Sequence, residues 1–100
     1  MKLKKTDKDF ILNSILGLIK KDQINSITLF GSYARGTASE KSDVDIAINM
    51  GTPIPAHIWV MIEEKLDESD LLMKVDIVDY HRVSESFQKL IDESGEIICP

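Results

Sequence analysis

The hydrophobic positions follow two different periodicities along the chain. Three segments carry apolar residues at the three- and four-residue spacing that puts them on one face of a helix. The first runs from about Asp7 to Lys21, the second opens after Pro55, and the third spans 84–93 and ends at Gly95. These apolar positions are Phe10, Ile11, Ile15, Leu18 and Ile19, then Ile58, Trp59, Ile62 and Leu66, and finally Phe87, Leu90 and Ile91. The pattern predicts three amphipathic helices.

Three shorter runs, over 27–30, 43–48 and 75–78, are rich in β-branched residues and predict strands. The first run stops at Gly31, after which Ser32 can cap a short helix. The resulting order of helices and strands predicts one α/β domain over residues 1–100, with a small mixed β-sheet and helices packed on one face. Because so few helices cannot cover three strands on both sides, the other face of the sheet should stay at least partly open.

Composition and charge restrict the class of protein. The chain has 100 residues, enough for one domain, and 43% of them are hydrophobic and 29% charged, as is ordinary for a folded domain. Its net charge of -5 disfavours a long nucleic acid as a partner. Polar residues interrupt the apolar N-terminal run, so we expect neither a membrane span nor a signal peptide there. Cys99 is the single cysteine, so we expect a cytoplasmic protein with a reduced thiol near a frayed terminus.

The alternation of side chains along the second strand brings two carboxylates together. Val44, Ile46 and Ile48 would point to the core. Asp43 and Asp45 would then share the open face, roughly 5 to 7 Å apart. Two such charges about 5 Å apart repel by about 3 kcal/mol at an effective dielectric near 20, so the pair calls for a counter-ion. Oxygen ligands suit Mg²⁺, with Mn²⁺ as an alternative, although solvated surface acids are the simpler interpretation of this spacing taken alone.

A glycine–serine pair lies upstream, at the predicted turn from strand to helix. Gly31 lets the backbone approach a ligand closely, Ser32 supplies a hydroxyl, and the free N–H groups of the helix start favour an anion such as phosphate. Arg35 follows in the first helical turn, where a cation is unfavourable against the helix dipole unless an anion or acid offsets it. Arg35 is therefore expected to contact either a phosphate or a nearby carboxylate.

Together these motifs resemble the signature of a known family. The runs FGSYARG at 30–36, SDVDI at 42–46 and VDIVD at 75–79 resemble the polymerase β-like nucleotidyltransferase superfamily, specifically its minimal nucleotidyltransferase branch. The resemblance covers almost the whole chain and implies the minimal form of that fold. It also implies that Gly31 and Ser32 hold the nucleoside triphosphate and that Asp43 and Asp45 bind two Mg²⁺ ions.

The family places its last metal-binding carboxylate on the third strand, where it also activates the attacking hydroxyl. The resemblance assigns this role to Asp76. Side-chain alternation favours the same residue, because Val75 and Ile77 would face the core. Val78 would lie on the same side as Asp76 and weakens that argument. Asp79 therefore stays the alternative, and is otherwise expected to be a surface acid at the strand end.

The resemblance implies transfer of AMP from ATP to a hydroxyl group. Minimal nucleotidyltransferases are commonly antitoxins paired with HEPN ribonuclease toxins, and some transfer AMP to a tyrosine of the toxin. The implied partners are a nucleoside triphosphate and a HEPN-type toxin, and the sequence leaves a homo-oligomer open. Two other functions stay open as well: an antitoxin that acts by binding alone, with chemically idle acids, and a transferase for small molecules of the aminoglycoside type.

Four further residues are weaker candidates for a functional role. Trp59 is more typical of core or dimer packing than of a base-stacking platform. His81 lies just beyond the third strand and could approach the acids. Lys41 and Arg82 are available to a phosphate, but nothing in their spacing distinguishes them from ordinary surface charges.

Overall fold

The strands of this protein form one mixed sheet. Over residues 2–100, which the computed structural model describes, there are four strands: β1 (Ser26–Phe30), β2 (Val44–Asn49), β3 (Val75–Asp79) and β4 (Glu96–Cys99). They lie in the order β3-β2-β1-β4. β1 is antiparallel to β2 and to β4, whereas β2 and β3 are parallel. The predicted α/β class with a small mixed sheet is confirmed.

The helices occupy the connections between these strands. They are α1 (Lys5–Leu16), α2 (Ser32–Arg35), α3 (Ala56–Asp67) and α4 (Glu85–Ser94), with 3₁₀ turns at Lys21–Gln23 and Tyr80–Arg82. α3 is the crossover that parallel pairing of β2 and β3 requires, and it begins directly after Pro55 as predicted. In the described part of the chain no helix combines the length and the apolar character needed to cross a membrane.

α1 ends earlier than the apolar periodicity predicts. Its C-cap is Gly17, whose N–H donates to the carbonyl oxygen of Asn13 at 3.0 Å, and the helix stops at Leu16 instead of Lys21. A glycine inside a helix costs about 0.5 to 1 kcal/mol relative to alanine, so the chain leaves the helix there. Ile19 is nevertheless buried, because the turn that follows still directs this side chain into the core.

β4 is a strand that the sequence pattern did not predict, since only three runs had strand character. The four residues of β4 follow α4 directly, and they become a strand by pairing with the otherwise unpaired edge of β1. Such long-range pairing leaves little local signal in so short a run. The expectation of a frayed terminus at Cys99 is wrong, since this residue lies in β4 and its free thiol is buried in the core.

Helices lie on both faces of the sheet and not on one face as predicted, but to different extents. α1 and α3 cover the face that holds the main core, whose fully buried side chains include Ile11, Ile15, Ile27, Val44, Ile46, Ile48 and Ile62. α4 lies on the other face, where Ile91 packs with Phe30 and Ala47. This helix covers only part of that face. At the uncovered end of the sheet, Asp43 is exposed and Asp45 is half-buried. The predicted open face is present at that end.

Candidate active site

The alternation of β2 separates its apolar and acidic side chains as predicted. Val44, Ile46 and Ile48 are fully buried in the main core. Asp45 therefore points to the opposite, open face, where it is half-buried. Asp43 directly precedes the strand and is exposed. The end of β2 nearest Gly31 thus presents acidic side chains to solvent on a strand held rigidly by its core face.

Parallel pairing brings a third carboxylate to the same place. Asp76 is the register partner of Asp45, so the two side chains lie side by side on neighbouring strands. Val75 and Ile77 alternate with Asp76 and join the main core. Val78, the exception to this alternation, lies on the open face but packs at the edge of the apolar cluster beneath α4. Packing against α4 therefore explains why an apolar residue, Val78, lies on the same face of β3 as Asp76.

Asp79 lies on the core side of β3, where its carboxylate has hydrogen-bond and ion-pair partners. It is 5% exposed, which contradicts the expectation of a surface acid. Its carboxylate accepts hydrogen bonds from the N–H of Ile54 at 2.8 Å and of His81 at 3.1 Å, and it pairs with Nε of Arg82 at 3.3 Å. Asp79 fastens the loop before α3 to the end of β3, and its side chain is not directed to the face that carries Asp45.

The neighbouring acids of the open face make the charged form of Asp45 less favourable. Burial raises the pKa of Asp45 above its ordinary value, the neighbouring charges of Asp76 and Asp43 raise it further, and the Arg35 guanidinium acts in the opposite direction. A carboxyl group that is partly desolvated beside like charges is stabilised by any cation that binds there. This arrangement has the electrostatics of a cation site.

The donor set fits a hard divalent cation, although the three carboxylates do not converge on one point. Asp43, Asp45 and Asp76 offer the oxygen ligands that Mg²⁺ and Mn²⁺ prefer. Within residues 2–100, however, no three side chains of His, Cys, Asp or Glu form a ready-made metal site. One oxygen of Asp76 instead faces Lys74, whose Nζ lies 3.4 Å away. Lys74 was not among the predicted site residues, although its position two residues before Asp76 places both on one face of an extended chain.

Gly31 forms the corner that closes this site. Its backbone has φ +74° and ψ −152°, a conformation that is essentially confined to glycine. A Cβ added at Gly31 would collide with Oδ2 of Asp45. The glycine–serine corner and the acidic strand are therefore in direct contact, as the predicted site requires.

α2 carries the other two predicted nucleotide-binding residues. Ser32 is its first residue, and Arg35 is its last, before Gly36 ends the helix in the left-handed conformation. The N–H of Arg35 donates to the carbonyl oxygen of Gly31 at 3.1 Å, which closes the helical turn on the corner. The charge of Arg35 opposes the rise in the pKa of Asp45, and a contact of Arg35 with a phosphate or with a carboxylate stays a prediction.

Three of the weaker candidates lie elsewhere. His81 bonds through Nε2 to Oδ1 of Asn49 at 2.8 Å, at the end of β2 remote from Asp45. Arg82 is held by Asp79 and donates to the carbonyl oxygen of Ile54 at 3.2 Å. Trp59 is partly buried against the main core, as expected for a packing residue. The structure therefore does not bring these side chains to the acidic end of the open face.

Comparison with known proteins agrees with this geometry. Residues 13–100 match the family model described as polymerase beta, nucleotidyltransferase. The chain belongs to this nucleotidyltransferase family. A protein of Haemophilus influenzae named "Probable protein adenylyltransferase MntA" is 32% identical over 87 residues, which cover 87% of this chain and 75% of that protein. The protein adenylyltransferase MntA of Thermococcus cleftensis is 40% identical over 73 residues, covering 67% of this chain and 72% of its own.

Solved structures show the same fold. A crystal structure of a toxin–antitoxin with AMP-PNP contains a chain that superposes with a TM-score of 0.77 at 27% identity, covering 91% of this chain and 71% of that one. A toxin–antitoxin MntA–HpeT mutant gives a TM-score of 0.75 at 26% identity, covering 90% and 70%. The expectation of a minimal, MntA-like nucleotidyltransferase is confirmed, and with it the small mixed sheet of that fold.

Proposed function

We propose that this protein is an antitoxin that transfers AMP from ATP to a hydroxyl group of a partner HEPN toxin, a tyrosine hydroxyl above all, in a reaction that depends on Mg²⁺. The observation that carries the proposal is the placement of Asp45 between Asp76 and Gly31. Register pairing sets Asp76 beside it, and the corner glycine touches its carboxylate. The residues to which we assign metal binding and phosphate binding would therefore share one open end of the sheet.

The names of the relatives support the choice of substrate and partner. Related chains are called protein adenylyltransferases, and a similar chain was crystallised in a toxin–antitoxin with AMP-PNP, an ATP analogue. The MntA–HpeT complex provides a second toxin–antitoxin pair with the same fold. An adenine nucleotide as donor and a toxin protein as acceptor are therefore the best-supported assignments for this chain.

Each site residue then has a defined task. Asp43, Asp45 and Asp76 would hold the Mg²⁺ ions, and Asp76 would also accept the proton of the attacking hydroxyl. Gly31 and Ser32 position the triphosphate at the start of α2, and Arg35 adds positive charge beside it. When bound, Mg²⁺ would stabilise the negative charge that develops on the α-phosphate and the departing pyrophosphate. The protein's own contribution is mainly position and charge, which suits a rigid strand and a tight corner.

The decisive experiment measures AMP transfer to the protein encoded beside this one. The two proteins are mixed with Mg²⁺ and ATP, and the partner is analysed by mass spectrometry for added AMP and for the modified side chain. Wild type should add AMP, and Asp43→Asn should not. Asp22→Asn is the matched control, because Asp22 is exposed in a 3₁₀ turn before β1, at the opposite end of that strand from Gly31.

Other outcomes would assign a different function. Neutralisation of the toxin that survives loss of both Asp43 and Asp45 would show an antitoxin that acts by binding alone. ATP turnover with a small-molecule acceptor and none with the partner would show a transferase of the aminoglycoside type. Transfer by Asp43→Asn at the wild-type rate would refute the assigned chemistry altogether.

A further inference from the structure

Lys74 lies next to Asp76, the carboxylate that we propose to activate the attacking hydroxyl. It directly precedes β3, and its carbonyl oxygen accepts a hydrogen bond from the N–H of Val44 at 2.9 Å, so its backbone is fixed against β2. Its Nζ lies 3.4 Å from Oδ1 of Asp76, and the two side chains are 68% and 41% exposed. Because the backbone is held and the long side chain is exposed, the ammonium can reach Asp76 or leave it without any change in the fold.

The pairing has a cost for metal binding. A carboxylate oxygen that faces an ammonium is less available to a divalent cation, and the positive charge of Lys74 repels that cation as it approaches. The three acids do not form a ready-made metal site in the described chain, while Asp76 is already paired with Lys74. The contact therefore opposes the convergence of Asp43, Asp45 and Asp76.

We propose that Lys74 is a positioning residue that competes with the divalent cation for Asp76. It neutralises Asp76 in the metal-free protein, releases it when the metal binds, and so sets the metal concentration at which the site fills. The inference rests on the proposed function, since it takes Asp76 as a metal ligand. Its effect should be modest, because exposed ion pairs contribute roughly 0.2 to 1 kcal/mol.

The test measures Mn²⁺ binding to the nucleotide-free protein by electron paramagnetic resonance. Lys74→Met removes the charge but keeps most of the length of the side chain, and it should tighten Mn²⁺ binding about 1.4-fold to fivefold. Lys74→Arg keeps the charge, and its dissociation constant for Mn²⁺ should equal that of wild type. Lys89→Met is the matched control, because Lys89 also pairs with a carboxylate, Glu93 at 3.9 Å, and loses the same charge elsewhere on the molecule.

The outcomes separate this inference from the proposed function. If wild type binds Mn²⁺ and Lys74→Met binds it equally or more weakly, the competition by Lys74 is refuted while the metal site stands. If Lys89→Met tightens binding as much as Lys74→Met, net charge explains the effect and the inference again fails. If neither wild type nor Lys74→Met binds Mn²⁺ without nucleotide, the role of Lys74 is refuted, while AMP transfer with Mg²⁺ and ATP still decides the proposed function.

Discussion

Gly31→Ala tests whether the corner and the acidic strand act together. Gly31 adopts φ +74° and ψ −152°, where an L-residue is strained, and its α-carbon faces Asp45. The new Cβ would collide with Oδ2 of Asp45, the free end of a rotatable side chain. We expect the carboxylate to rotate away while the backbone keeps its path. The substitution should therefore displace the proposed metal ligand Asp45 without removing it.

The magnitudes differ for stability and for activity. Backbone strain of this kind costs about 1 to 3 kcal/mol, which for a domain of this size lowers Tm by roughly 4 to 8 °C for each kcal/mol. A misplacement of about 1 Å in a catalytic group can cost about 100-fold in rate. Gly31→Ala should thus remain folded at low temperature and yet lose AMP transfer by about two orders of magnitude.

Gly36→Ala is the matched control for this prediction. Gly36 has a similar φ of +76°, but a Cβ there would meet no atom within 4 Å. It should lose about 1 to 2 kcal/mol of stability from the left-handed conformation and keep most of its activity. Thermal melts and AMP transfer are measured on both variants, well below their Tm. Full activity of folded Gly31→Ala, or an equal loss in Gly36→Ala, would contradict the contact between corner and carboxylate.

Two further predictions concern acids whose roles the structure separates. Asp45→Asn should raise Tm near pH 7 without metal, because burial and neighbouring acids raise the pKa of Asp45 and make its charged form unfavourable. As the pH falls through this raised pKa towards about 3.9, wild-type Asp45 also becomes neutral, so the difference in Tm should shrink; a constant difference would refute the electrostatic cause. Asp79→Ala should cost about 3 kcal/mol in urea unfolding, because the buried N–H of Ile54, the N–H of His81 and the guanidinium of Arg82 lose their partner. Asp76→Ala should instead leave stability almost unchanged and abolish transfer, and the reverse ranking would show that the two roles are misassigned.

Local patterns predicted the acidic site because they determine which way side chains point. The period of two along a strand puts Asp45 opposite Val44 and Ile46, and the burial of those neighbours confirms it. The same alternation selected Asp76. Gly31 was predictable because a glycine between a strand and a helix indicates a backbone conformation that other residues avoid.

Features that depend on distant parts of the chain were not predictable in this way. β4 forms only because β1 offers a free edge, and Cys99 is buried as a consequence. Asp79 is an acid at a strand end, where exposure is the usual outcome. It is buried because the loop before α3, which is distant in sequence, brings the N–H of Ile54 to its carboxylate. No local pattern carries that information.

On the open face of the sheet, the acidic side chains and the apolar side chains that pack under α4 are only two residues apart along each strand. Asp45 and Asp76 are register partners, and two residues further along, roughly 7 Å, Ala47 and Val78 are partners under α4. α4 is held there by Tyr80, whose hydroxyl donates to Asp92 at 2.7 Å. The helix therefore covers the apolar half of the face and leaves the acidic half, next to Gly31, open, where the proposed function places the triphosphate and the acceptor. Because the pairing of β2 with β3 fixes both halves, a slip of one residue would bury the acids and expose the core, so the register that stabilises the fold is the same one that assembles the site.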